Sequence, residues 1–216
     1  MSADQRKSFI AEIQHNAEPL NLRTVSAADV DFWGEVMRGC LAPLSPLAFI
    51  ATELFRTIEE VPFLTTRYRG KVPEPGRLLA YFRCYGNYYN IQIRSEDQLG
   101  NFLSKHSSGL LGAFPAAGGD TTSFNLLDAS NNIITLDELD NDNVEVFLKA
   151  RNAGVICSKR DWNKNDDVWS DIRLFNDKSG DPALFTLRIL QRNVPYPTTD
   201  AALEVGDISM SARTNS

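Results

Sequence analysis

From Phe63 onward the chain is written in short runs that alternate apolar and polar residues, and this alternation narrows the fold more than any other feature. Tyr88-Tyr89-Asn90-Ile91-Gln92-Ile93-Arg94 has it, as do Thr122–Leu126, Asn132–Leu136, Val144–Lys149 and Leu184–Ile189. A period of two sends successive side chains to opposite faces of a strand. Clusters of Gly, Asn, Asp and Ser separate the runs at 96–100, 116–120, 130–132, 140–143 and 177–181. Short strands at near-regular spacing, with turn chemistry between them, make an all-β barrel or sandwich. A parallel sheet would need crossover helices that this pattern leaves no room for.

The first 62 residues follow a different period. Ser2 precedes Phe9, Ile10 and Ile13 on one helical face, a short amphipathic helix expected to end near His15. Ser26–Asp29 has capping-box spacing, with Val30, Trp33 and Met37 behind it and Gly39 as a stop. Ser45-Pro46 starts a third stripe of Leu47, Ile50, Leu54 and Ile58, closed by Val61-Pro62. At the other end, Val194-Pro195-Tyr196-Pro197 cannot continue a central strand. The expected organisation is a helical segment over 1–62, a β-rich body over 63–193 and a polar extension over 194–216.

The β-rich part carries an internal similarity. Ile91–Ser95 followed by Gly100–Lys105 compares with Val146–Ala150 followed by Gly154–Lys159, and Phe124-Asn125-Leu126 compares with Phe185-Thr186-Leu187. Each copy reads strand, glycine turn, strand, variable loop, strand. That order resembles the β-trefoil unit of the fascin-like, actin-cross-linking type. The resemblance spans 81–190 and shows two units, with 63–85 the place to seek a third. It implies a trefoil-like barrel with a short helical N-terminal segment, the alternative being an antiparallel β-sandwich. On this reading Phe124 and Phe185 are buried equivalents.

Charge and cysteine usage exclude several functions. The net charge is −6 and the sequence pI about 5.0, which argues against a nucleic-acid coat. The stretch Leu41–Ala51 is short and broken by Pro43 and Pro46, so no transmembrane segment is expected. No signal-peptide core precedes the first charges, and the expected location is the cytoplasm, or outside the cell by a route without a cleaved signal. Cys40, Cys84 and Cys157 are three, widely spaced and without a CxxC pair, so they read as scattered thiols rather than metal ligands.

No motif declares a catalyst. His15 and His106 are the two histidines, and Ser104-Lys105-His106 lacks the nucleophile elbow of a hydrolase, so it reads as a polar turn. Gly109–Gly112 and Gly118-Gly119 lack a phosphate-loop pattern. Arg67-Tyr68-Arg69-Gly70-Lys71, then Arg77, Tyr81, Phe82, Arg83, Tyr85, Tyr88 and Tyr89 interleave aromatics with basic residues, which serves stacking on bases or binding of sugars and phosphates or, more simply, half-buried strand positions with hydroxyls outward. Asp161, Asn163 and Asn165 match the first oxygen positions of a calcium loop, but Asp166 stands where glycine is needed and Ile172 where glutamate is needed.

The same segment supplies the expected ligand site. Asp161, Trp162, Asn163, Asn165, Asp167 and Trp169 lie in the stretch that lengthens the second copy, and insertions in a repeating β-framework fall in loops that carry recognition. An indole face beside amides and carboxylates suits a sugar. The competing reading makes Trp162 a plug for the barrel mouth and packs Trp169 in the core. The expected function is a non-catalytic module that recognises a glycan or a protein, with no catalytic residue, metal or cofactor assigned. A structural subunit of a larger assembly, oligomeric through its two ends, is the second reading, and a hydrolase with a hidden site the third.

Overall fold

The structure is a computed structural model that describes residues 2–16, 18–24, 62–66, 78–95, 98–106, 109–115, 121–165 and 168–196. After one turn of helix, α1 (Ala3–Arg6), come β1 (Phe9–His15), β2 (Glu18–Thr24), β3 (Pro62–Thr66), β4 (Leu78–Tyr85), β5 (Tyr88–Ile93), β6 (Phe102–Lys105) and β7 (Leu111–Phe114). There follow β8 (Ser123–Leu127), β9 (Ile133–Ile134), a 3-10 turn (Leu136–Glu138), β10 (Asn143–Ala150), β11 (Cys157–Asn165), β12 (Val168–Asn176), β13 (Asp181–Pro182) and β14 (Leu184–Arg192). The molecule is mainly β, as the alternation requires.

Six strands close on themselves. β1 pairs with β4, β4 with β5, β5 with β8, β8 with β10, β10 with β14, and β14 returns to β1, every pairing antiparallel. Closure leaves these strands without an unpaired edge. The other long strands form three two-stranded pairs, β2–β3, β6–β7 and β11–β12. These touch one another through Phe63↔Gly112, Leu174↔Thr65 and the bridge Leu110↔Asn176.

The largest buried cluster is apolar and rich in aromatic rings. Phe9 and Phe82 stack with ring centroids 4.5 Å apart, and Tyr89 meets both edge-on. The buried His15 sits among Phe175 and Phe185, so a residue of the β11–β12 pair packs against the barrel strands there. Phe124 and Phe185 are both fully buried, and each lies opposite a buried residue of a neighbouring strand, Tyr89 and Val146.

The expected helix through His15 is replaced by strand. Ser2 does cap a helix, its hydroxyl accepting the Gln5 N–H at 3.2 Å while the Gln5 side chain accepts the Ser2 N–H at 2.8 Å. Yet the helix ends at Arg6, and Phe9, Ile10, Ala11, Glu12 and Ile13 are all buried in β1. A strand covered on both faces loses its alternation, and what remains reads equally well as a helix face. Phe9, Ala11 and Ile13 enter the barrel core. Ile10 belongs to a second cluster with Leu79, Tyr81 and Val194, against which Leu190 and Tyr196 pack.

Val194–Tyr196, where the expected extension begins, therefore lies on the barrel, and residues 197–216 lie outside the described residues. The Val194 N–H donates to Ser8 O at 2.9 Å, and the Tyr81 hydroxyl donates to the Val194 and Pro195 carbonyls at 3.3 and 3.2 Å. The helices expected over 26–39 and 45–61 lie outside the described residues. No helix among the described residues is long and apolar enough to cross a membrane.

Candidate functional site

The residues singled out as a ligand loop form the arms of a hairpin. Asp161, Trp162, Asn163 and Asn165 lie in β11, and Trp169 lies in β12. The ladder runs unbroken from Cys157↔Asn176 through Trp162↔Asp171 and Lys164↔Trp169 to Asn165↔Val168. Asp167 and its neighbour Asp166 lie outside the described residues. Among the described residues, no group of three His, Cys, Asp or Glu side chains is arranged to hold a metal ion.

The reactive side chains are engaged in packing. His15 Nδ1 lies 2.9 Å from the Leu184 carbonyl and Nε2 lies 3.1 Å from Asn16 Nδ2. Both ring nitrogens thus face protein groups. The ring of His106 stacks on Phe114 with centroids 6.2 Å apart, and burial holds its pKa below the ordinary histidine value. The thiol of Cys84 is pushed up to about 11, first by burial and then by the nearby Asp4 carboxylate. Burial also raises the Cys157 thiol, with Asp181 and Asp177 adding to it. Neither group is a thiolate at neutral pH, so neither is a ready nucleophile.

One buried ion pair joins two of the strand pairs. Lys105 Nζ lies 2.9 Å from Asp177 Oδ2, with the Asp177 side chain 7 % exposed. Asp177 Oδ1 faces Gly109, whose φ is +94°, close to where a Cβ would stand. The pair pins the end of β6 to the end of β12. Its position between packed segments makes it a structural bond.

Residues 67–77 of the tyrosine-rich stretch lie outside the described residues, and the part from Tyr81 to Tyr89 divides in two. Tyr81 and Tyr89 belong to the core, and their hydroxyls bond to protein instead of pointing to water. Tyr89 donates to Lys7 O at 3.3 Å and accepts the Leu136 N–H at 3.0 Å. Burial pushes its phenol far above the ordinary tyrosine value and that of Tyr81 up to about 12.

Tyr85 and Tyr88 flank the β4–β5 turn and remain partly exposed, with rings stacked at 5.6 Å. Around them gather three side chains from elsewhere. The Arg83 guanidinium lies 5.1 Å from the Tyr85 centroid and 4.0 Å from that of Tyr196. The Arg151 guanidinium lies 4.3 Å over Tyr88. Tyr196 is fixed by its own hydroxyl, which donates to the Cys84 carbonyl.

Local geometry explains the convergence. Gly86, at φ +66°, makes the tight β4–β5 turn, and its N–H donates to Asp4 Oδ1 at 3.1 Å. Arg151 follows the last residue of β10, and its N–H donates to Ser123 O at 2.8 Å, which sets it beside β5. The interleaved Arg and Tyr of β4–β5 were visible in the sequence. Arg151 and Tyr196 carried no local signal, because only ring closure brings their segments to this wall. Comparison with protein-family models and with curated protein sequences finds no match.

Proposed function

We propose that this chain is a non-catalytic recognition module on a β-trefoil barrel, and that its ligand is a protein. The trefoil reading is supported by the order of pairing. Three successive stretches each contribute an outer two-stranded pair between two strands of the ring: β1 to β4, β5 to β8, and β10 to β14. The unit missing from the sequence comparison then begins at Phe9 instead of Phe63. It went unseen because its first strand is buried on both faces and its middle strands are separated by residues 25–61. This is also the order that the resemblance to fascin-like modules implies.

The observation that carries the functional reading is the meeting of Arg83, Tyr85, Tyr88, Arg151 and Tyr196 on the outer wall. Tyrosine and arginine are enriched at protein interfaces, tyrosine for its large contact area with few rotamers to freeze and arginine for its planar fork of donors. A sugar instead wants an open aromatic face on which to lay its C–H groups. Here each ring already has a face against a guanidinium or another ring.

Parallel selection on a random dodecapeptide library and a glycan array tests this. Peptides that bind the native protein and lose binding to Tyr88→Ala, with the array silent, are the expected result. A strong array signal without peptide enrichment overturns the protein ligand. Turnover of ester, glycoside or phosphate substrates by the purified chain overturns the non-catalytic reading.

A further inference from the structure

We infer that the Arg83–Arg151 wall binds a carboxylate-bearing peptide segment, an inference that deepens the recognition reading above and rests on it. A guanidinium held over an aromatic ring by cation–π attraction can still offer N–H donors to a ligand. The Arg83 guanidinium carbon lies 4.0 Å from the Tyr196 ring centroid, and that of Arg151 lies 4.3 Å from the Tyr88 centroid.

Among the described residues neither has a carboxylate partner, whereas Lys7, Lys105, Arg188 and Arg192 each do. Arg83 Nε is buried and has no hydrogen-bond acceptor there. Asp4, the acid beside this turn, gives an oxygen to the Gly86 N–H. Two guanidinium groups without a carboxylate partner among the described residues stand on a protein whose net charge is −6. That charge makes general attraction of an acidic ligand unfavourable, so binding must come from the local geometry.

The planar fork matches a planar carboxylate with two parallel hydrogen bonds. Contact with the rings restricts the arginine rotamers in the free protein, which lowers the entropy lost on binding. The exposed Arg151 and half-buried Arg83, with the stacked rings of Tyr85 and Tyr88 between them, suit acidic side chains spaced along an extended peptide. An acidic polysaccharide would present similar charge but lacks an open ring face here.

Fluorescence anisotropy with the full-length protein tests this, using a fluorescein-labelled hexaglutamate flanked by glycines. Its hexaglutamine counterpart and an unlabelled hexagalacturonate competitor serve as arms. The expected result is saturable binding of the glutamate peptide, at least tenfold weaker binding of the glutamine peptide, and poor competition by the uronate. Arg151→Gln, an exposed change, should weaken binding at least tenfold without moving the melting temperature, and Arg83→Gln should act in the same direction.

Arg151→Lys separates the fork from simple charge and should recover less than half of the lost affinity on a logarithmic scale. Glutamate binding that ignores Arg151→Gln overturns this site while leaving a recognition module elsewhere intact. Equal competition by hexagalacturonate overturns the peptide assignment. No binding of the glutamate peptide, when library peptides do bind, overturns the carboxylate chemistry and spares the protein-ligand reading.

Discussion

At the scale of single residues, backbone demands are sharper than side-chain chemistry. Gly180 has φ +111°, and a Cβ there would collide with the Ser158 carbonyl, part of the β11 backbone that β13 must approach. Gly86 has φ +66° with open space where its Cβ would stand. Gly86→Ala should therefore cost about 1 kcal/mol, the left-handed backbone penalty alone. Gly180→Ala combines a glycine-only conformation with a backbone collision and should cost more than about 2 kcal/mol. Urea denaturation of the two variants compares them directly, and equal midpoints would show that the β13 contact yields freely. Gly180 was legible in the sequence as part of the turn cluster at 177–181, and Gly86 was not singled out. Which of them is irreplaceable depends on a strand that approaches from over twenty residues earlier in the chain.

At the scale of elements, the strands that were easy to read and those that were missed differ in how many faces they bury. β10 alternates cleanly, with Val146, Leu148 and Ala150 inside and exposed or partly exposed neighbours between them. β1 is buried on both faces because the barrel lies under one and Val194 with Tyr196 covers the other. Removal of residues 1–17 should then abolish the cooperative unfolding transition, since it deletes a ring strand that pairs with both β4 and β14. A truncated chain that still melts in one sharp transition, by near-ultraviolet circular dichroism, would contradict the closed ring.

The covering segment has a graded test. Ending the chain after Asn193 strips Val194 and Tyr196 from Ile10, Leu79 and Tyr81, and should cost about 2–4 kcal/mol at 1.5–3 kcal/mol per buried apolar side chain. Ending it after Tyr196 keeps those contacts. Denaturant midpoints for the two truncations should differ accordingly, and identical values would mean that Val194–Tyr196 contributes no stability.

For the whole molecule, burial of weak acids couples stability to alkaline pH. Cys84 titrates at about 11 in the fold against an ordinary 9.0, and Tyr81 at about 12 against 10.0, both mainly because burial disfavours the charged form. The unfolded chain releases these protons first. Their contribution is thus fully present below pH 9 and is lost as pH rises through the folded values. The melting temperature should stay level from neutrality to about pH 9 and fall steadily above it. Phenolate absorbance should lag behind that of free tyrosine until the protein unfolds. All six tyrosines titrating near 10 while the chain stays folded would overturn the burial of Tyr81 and Tyr89.

The sequence by itself determined the mainly β character, the positions of β5, β8, β10 and β14, and the turns between them. Alternation and turn chemistry are local properties, written within a few residues of where they act. Tertiary structure alone decided that β1 is a strand, that Val194–Tyr196 belongs to the barrel, and that residues 161–165 lie in a hairpin arm. It also decided the candidate site, since Arg83 and Tyr85, Arg151, and Tyr196 meet only after β1 has paired with β14 and the ring has closed. A chain reveals its periods locally, whereas the partners that cover a second face or complete a cluster come from residues far away along it.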